Sequence, residues 1–394
     1  MSFKFIFFLR HIVSHNMKKH QKHTTLARPA LGNFGRTELA FVGAPCGSIE
    51  TLVYQLIETL ASRYHIVYAD ASHYAPTLPA SLASGAWGEY SDCIDYQTIM
   101  QRNKPTMFQL RQQWNEADAI FINGNHHEGK AQIVFIDERK KTSLQKRLSQ
   151  LTDIQLFITV EKEGEIFDFL KESHPNWSNI PVLALSEIEK ISTFVEGFLI
   201  QQRPILQGLV LAGGKSVRMG QDKGAMIWHN NQTQREYVAD LLNKYCSEVF
   251  ISCRKEQVAE FTPSYPTLPD TFDGLGPYGA LLSAFRAQPN SAWLVVACDL
   301  PLLDAATLAQ LVAGRNPSSI ATTFESPFDG LPEPLITIWE PKSYPVLLAF
   351  LAQGYSCPRK VLRNNSITLL HAEQPDTLKN VNTPEEAEEI SINK

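Results

Sequence analysis

From residue 38 onward, short apolar runs alternate with segments whose apolar residues recur at helical spacing. The run Leu39–Val42 reads as a buried strand that breaks at Gly43 and Pro45, and the following "SIETLVYQLIETLASRY" carries an amphipathic helical stripe. "HIVYAD" returns as a strand. Further on, "DAIFINGN", "AQIVFID", "IQLFITV" and "IPVLALS" are strand-length runs, several separated by charged segments such as "KKTSLQKRLSQL" that read as helices. This alternation predicts a parallel sheet covered on both faces. "TFVEGFLIQQRP" closes the series as a last helix, and the turn at Gln202–Pro204 is the predicted boundary.

A second series starts with the strand "ILQGLVLA". It continues through the helix "QREYVADLLNKYC", the strand "EVFISC", the helix "YGALLSAFRAQ", the strand "AWLVVACD" and the helix "DAATLAQLVAG". The pattern therefore predicts an α/β chain of two domains, residues 38–202 and 203–394, behind a lead-in over residues 1–37. There is no internal repeat and no long low-complexity tract.

Composition agrees with two packed cores: the chain has 394 residues, 44% hydrophobic and 20% charged, which argues against disorder. A net charge of −5 gives no reason to expect nucleic acid or an anionic membrane as partner, so any bound phosphate must be held by local groups. Cys46, Cys93, Cys246, Cys253, Cys298 and Cys357 form no C-x-x-C pair, which fits reduced thiols and a cytoplasmic protein. The start, "MSFKFIFFLRHIVSHNMKKHQKH", is basic, and no acid precedes Glu38. Its apolar stretch "FIFFL" is too short to span a bilayer. Residues 1–37 read as a disordered lead-in, with Met1 and Met17 both open as the start.

Candidate chemistry concentrates in "LVLAGGKSVRMGQDKGAM", Leu209–Met226. Glycines after a strand let backbone N–H groups turn toward an anion. Arg218 and Lys223 then suit a polyphosphate, one as a bidentate fork and the other as a point charge. A plain glycine turn with surface charges is the competing reading.

The whole string resembles the signature loop of the nucleotidyltransferases with a Rossmann-like fold, and within them the molybdenum cofactor guanylyltransferases. "LPDTFDGLGPYGALLSAF" resembles that family's Asp-then-Gly-Pro segment, "WLVVACDLPLL" its strand ending in Asp-x-Pro, and "NVNTPEEAEE" its closing Asn-x-Asn-Thr-Pro. The resemblance covers residues 205 to 390. It implies a nucleotide site at Leu211, Ala212, Gly213, Gly214, Lys223, Asp270 and Asp299, with Arg218, Lys223 and Asp299 catalytic and Asp299 the Mg²⁺ ligand. It also implies GMP transfer from GTP to the phosphate of molybdopterin with release of pyrophosphate, and molybdoenzymes or their chaperones as further partners. Asn382 either reaches the metal or a phosphate, or caps the helix after Pro384. Arg359 and Lys360 either meet the acceptor's phosphate or are simply solvated. Cys253 stands where the family has an Asn before an Arg, and "GPYGA" reorders the family's small residues.

In the first half, "FVGAPCGSIETLVYQLIETL" resembles the phosphate loop of the GTP-binding adaptor protein of molybdopterin-guanine dinucleotide biosynthesis. "VYADASH" resembles a second segment of that family, retaining Asp70, Ala71 and His73. Ser48, Ile49 and Glu50 fall where a working loop has Gly-Lys-Thr, which predicts a P-loop-like sheet with a degraded nucleotide site. Asp92, Asp95, His126 and His127 suggest a polar site, with surface loops the simpler reading. Two other functions stay open: a cytidylyltransferase or another nucleotidyltransferase acting on a different acceptor, and a non-catalytic carrier of the cofactor.

Overall fold

The computed structural model describes residues 33–72, 77–161, 164–213, 222–229, 231–258, 264–381, 383, 385, 386 and 388. Within the first half, β1 (Glu38–Val42), β2 (Ile66–Ala69), β5 (Ala119–Asn123), β6 (Ala131–Ile136), β7 (Ile154–Thr159) and β8 (Val182–Ala184) form one sheet. Its order is β2-β5-β1-β6-β7-β8 and every pairing is parallel. β1, β5 and β6 are buried along their whole length, as continuous apolar runs in a doubly covered sheet should be. The helix Cys46–Leu60 packs Ile49, Leu52, Val53, Leu56 and Leu60 onto one face, beside Ile191, Val195, Phe198 and Leu199 of the helix Ile188–Gln201.

Two features depart from the periodicity. β3 (Gly88–Asp92) and β4 (Gln97–Gln101) form a separate antiparallel hairpin. "KKTSLQKRLSQL" forms only the short helix Lys141–Gln145 and a 3-10 turn, Leu148–Gln150.

The second half holds β9 (Leu206–Leu211), β10 (Ile227–His229), β11 (Gln232–Thr233), β12 (Val249–Cys253), β13 (Thr267–Pro269), β14 (Ala292–Ala297), β15 (Ala321–Glu325), β16 (Pro332–Trp339) and β17 (Thr368–Leu370). Seven of them form a sheet in the order β13-β12-β9-β14-β16-β15-β17, with β16 antiparallel to both neighbours. The small antiparallel pair β10-β11 lies apart. The chain leaves β9 toward β12 on one side and later returns as β14 on the other, so the strand order reverses between β9 and β14. Two apolar layers, one around Val210, Leu294 and Ile338 and one around Leu209, Trp293 and Trp339, cover the two faces.

A polar seam joins the halves. Lys342 Nζ donates to the carbonyls of Glu116 (2.8 Å) and Ser318 (3.1 Å) and pairs with Asp118 (2.8 Å). Asn115 Nδ2 donates to the Lys342 carbonyl, and Arg36 Nη2 to that of Pro341. Among the described residues, no helix is long and apolar enough to cross a membrane.

Candidate active site

In open α/β sheets, ligands bind outside the carboxyl ends of the strands where the strand order reverses. That position is occupied here by a cavity of about 250 Å³. Leu211, Ala212 and Gly213 enter it from the end of β9, and Asp299 from the end of β14. Register explains the juxtaposition: Ala297 pairs with Leu211, so Gly213 and Asp299 each lie two residues past the last pair. Asp270 arrives from the end of β13, where its N–H donates to the Cys253 carbonyl at 2.9 Å.

Lys223 is delivered by a 3-10 turn, Lys223–Ala225. Asp222 caps that turn by accepting from the Gly224 N–H at 2.9 Å, and Arg235 holds Asp222 at 3.1 Å. The Lys223 Nζ then stands 3.9 Å from Asp299 Oδ2, each side chain about one-fifth exposed. The other carboxylate oxygen, Asp299 Oδ1, is buried without a hydrogen-bond partner. Burial pushes the Asp299 carboxyl above the usual carboxylate range, with the Lys223 charge pulling the other way. Burial also raises Asp270, to about 6, against the hydrogen bond from Ser252 Oγ at 3.0 Å.

The sealed, unpartnered oxygen of Asp299 is what a carboxylate waiting for a cation looks like. Among the described residues, no group of three or more His, Cys, Asp or Glu side chains could hold a metal by itself. A cation at Asp299 would therefore take its remaining ligands from substrate oxygens and water, as Mg²⁺ commonly does. The donor set fits a divalent ion shared with a phosphate chain.

Of the residues marked in the sequence, the cavity brings together Leu211, Ala212, Gly213, Lys223, Asp270 and Asp299. Gly214, Arg218 and Asn382 lie outside the described residues, but the Val381 N–H donates to the Asp299 carbonyl at 2.9 Å. Arg359 and Lys360 do not line the cavity. Arg359 pairs with Asp329 (2.9 Å) and Glu333 (3.3 Å), and Lys360 lies over the Tyr355 ring. In "GPYGA", Gly279 makes a close approach to the chain itself: a Cβ there would sit 2.3 Å from the Phe272 carbonyl oxygen. Sequence reading passed over Asp222, Arg235 and Ser252. Only Asp222 left a signal, its position beside Lys223.

The corresponding crossing in the first half carries no comparable charge. The helix starts at Cys46, two residues before the predicted stripe, so only Gly43–Pro45 remain as loop. The Pro45 carbonyl accepts the Ser48 and Ile49 N–H groups (2.9 and 3.1 Å), Ile49 is fully buried, and Glu50 accepts from the Tyr54 hydroxyl. His126 Nε2 lies 3.2 Å from Cys46 Sγ and 3.8 Å from Asp70, and His127 faces the Asp70 carbonyl. Asp92 ends β3 and Asp95 lies in the turn of the hairpin, while His73 lies outside the described residues. Of the sequence-marked acids and histidines, His126 and His127 thus gather at Asp70, while Asp92 and Asp95 belong to the hairpin.

A strand-order reversal, a lysine facing a buried carboxylate and a second carboxylate thus share one cavity at the carboxyl ends of an α/β sheet. Residues 208–370, in the C-terminal half of the chain, match the MobA-like NTP transferase domain. The chain is 36% identical over 194 residues to the molybdenum cofactor biosynthesis bifunctional protein of Synechocystis sp., a match covering 49% of this chain and 55% of that protein. The chain thus spans little more than half the length of that relative. It is 28% identical over 196 residues to the molybdenum cofactor guanylyltransferase of Shewanella loihica, covering 48% of this chain and 96% of that one. Among solved structures, molybdopterin-guanine dinucleotide biosynthesis protein A from Archaeoglobus fulgidus is similar at 20% identity and a TM-score of 0.40, covering 47% of this chain and 96% of that one.

Proposed function

We propose that the C-terminal half is a molybdenum cofactor guanylyltransferase, moving GMP from GTP to the terminal phosphate of molybdopterin. The observation that carries this reading is the Asp299–Lys223 pair, with its sealed carboxylate oxygen, at the point where the strand order reverses. GTP lies along the chain leaving β9, with its phosphates toward Lys223 and Arg218. An oxygen of the acceptor phosphate attacks the α-phosphorus in line, forming a new P–O bond as pyrophosphate leaves. A phosphate monoester is already ionised near neutral pH, so the reaction asks for positioning and charge neutralisation more than for a strong base. Asp299 would hold Mg²⁺, which supplies charge neutralisation on the phosphate oxygens. Asp270 helps hold the nucleotide.

We also assign residues 38–202 to a P-loop-like domain without a nucleotide site of its own, because Ile49, standing where a working loop has lysine, is buried in the apolar core and offers no charge to a phosphate. The test is to incubate purified protein with molybdopterin, Mg²⁺ and each NTP in turn, and to follow pyrophosphate. Release with GTP alone is the expected result. Release with CTP alone makes the protein a cytidylyltransferase, and tight molybdopterin binding without turnover makes it a carrier.

A further inference from the structure

A second cavity, of about 720 Å³, lies along the seam between the two sheets and shares no lining residue with the first. Five cationic side chains line it, Arg36, Arg63, Lys130, Arg203 and Lys342, against the three acids Asp118, Glu196 and Glu340. Each acid is already committed: Asp118 to Lys342, Glu196 to Arg63, and Glu340 to Arg315, which stands outside the lining. Arg36, Lys130 and Arg203 are left without an ion pair among the described residues.

The surroundings deepen the imbalance. Arg36 donates to neutral oxygens, Asn115 Oδ1 at 3.0 Å and the Pro341 carbonyl at 3.1 Å, and its Nε is buried without a partner. Both terminal nitrogens of Arg111 are likewise buried and unpartnered. Burial, reinforced by the Arg111 charge, lowers the Arg36 guanidinium to about 10, and burial lowers Lys130 as well. The carboxylate acting on Arg111 and Lys130 is Glu38, which already accepts the N–H groups of Phe34 (2.6 Å) and Gly35 (3.3 Å). Cationic charge not matched by carboxylates among the described residues, with the Arg36 guanidinium partly withdrawn from water, creates a field that favours an incoming anion.

We infer that this cleft binds a phosphate-bearing small molecule, with its phosphoryl group neutralised by Arg36, Lys130 and Arg203. Guanidinium and ammonium groups lining one cavity from different elements suit a phosphoryl group, which accepts hydrogen bonds on several oxygens at once. The cavity is in the size range of small-molecule pockets, roughly 300–1,000 Å³, and Tyr64, Ile200 and Pro341 add less polar wall for an organic moiety. A nucleotide and a phosphorylated pterin share this chemistry. The inference does not rest on the transfer reaction proposed above.

The test is calorimetric titration of the full-length chain, without added metal, using guanosine 5′-monophosphate in one arm and neopterin phosphate in the other. Guanosine and neopterin serve as phosphate-free controls. We expect one of the two phosphates to show a 1:1 event that survives Lys223→Ala, is competed by inorganic phosphate, and is absent with its control. Arg203→Ala, at an exposed position, and Lys130→Ala should each weaken it on the order of tenfold, the loss of one charge-assisted contact, and Lys130→Arg should restore it. The responding arm identifies the source. The proposal is overturned if neither phosphate binds, if the controls bind equally well, or if the event responds to Lys223→Ala and not to the two cleft variants. Failure of pyrophosphate release in the turnover assay would leave this result standing.

Discussion

The two sheets make the same move and end differently. Each begins on an interior strand and follows it with glycine, β1 by Gly43 and β9 by Gly213 after Ala212. After β1 the chain turns into a helix within three residues, and Gly43 is there to turn: its φ is +98°, and a Cβ would lie 2.7 Å from the Phe135 carbonyl oxygen. The helix then turns Ile49 into the core beside Leu39, Phe41 and Leu52. After β9 the chain opens onto a cavity with Lys223, Asp270 and Asp299 around it. The comparison teaches that a parallel sheet supplies only the location. Whether that location holds a phosphate is decided by the few residues that either fill it or leave charge in it.

The sharpest way to break the comparison is Asp299→Asn, which removes the charge proposed to hold the metal and little volume. Turnover should fall at least ~10², from lost charge stabilisation at the reacting phosphate, with the thermal unfolding midpoint not lowered. Near-normal pyrophosphate release with Mg²⁺ would put the metal elsewhere.

Lys223→Ala should have the next largest effect, raising the GTP dissociation constant and lowering kcat by roughly tenfold each, because the lysine faces phosphate charge before and during transfer. If calorimetry shows unchanged GTP affinity while only the acceptor's KM rises, Lys223 belongs to the acceptor site.

A smaller effect is expected from pH. Asp270 is raised to about 6 by burial, so it gains a proton as pH falls through that value and ceases to act as an anion toward the nucleotide. kcat/KM should show an acid limb near pH 6, falling about tenfold per unit at most, and Asp270→Asn should flatten it. Stability runs the other way. The folded protein holds this proton more tightly than the unfolded chain, so the contribution is fully present below the ordinary aspartate pKa, ~3.9, and is lost as pH rises through 6. Asp270→Asn should remove that decline from a series of unfolding midpoints.

Glu50→Ala should change least. If the first crossing lacks a site because Ile49 stands in place of the lysine, and not through the Glu50 charge alone, GTP stoichiometry stays at one and its affinity shifts less than about twofold, since Glu50 is exposed. Ile49→Ala should instead lower stability by about 2–5 kcal/mol and create no nucleotide site, as truncating a fully buried side chain does. A second GTP bound by either variant would show that the first half kept its site.

Most strands of both sheets were legible because an interior strand of a parallel sheet is a short unbroken apolar run, as in "AFV", "AIFIN" and "LVVA". The hairpin β3-β4 was not, because its exposed faces mix Tyr90, Ile99 and Met100 with Glu89, Ser91 and Thr98 and follow no clean alternation. β16 and its antiparallel pairing escaped for another reason. Strand direction is set by where a neighbouring edge lies, and "PEPLITIW" reads the same either way. At the site, Lys223 and Asp299 stood out as charges next to glycines and strand ends. Ser252 could not, since a serine inside an apolar strand gains its role only when Asp270, 18 residues later, arrives beside it.

The sequence by itself determined the alternation of strand and helix, the absence of a lysine in the loop after β1, and the set of charges available after β9. Those follow from local physics: apolar periodicity, the freedom of glycine, and the missing lysine at Ile49. Only the tertiary structure decided that Asp299 and Lys223 meet at 3.9 Å with one carboxylate oxygen sealed and unpartnered. It alone turned Arg359 toward Asp329 and Glu333, and it alone gathered Arg36, Lys130 and Arg203 around one cleft. Each of these joins residues many positions apart, and burial sets their energies, because a charge acquires its full cost and its full reach only where packing has excluded water.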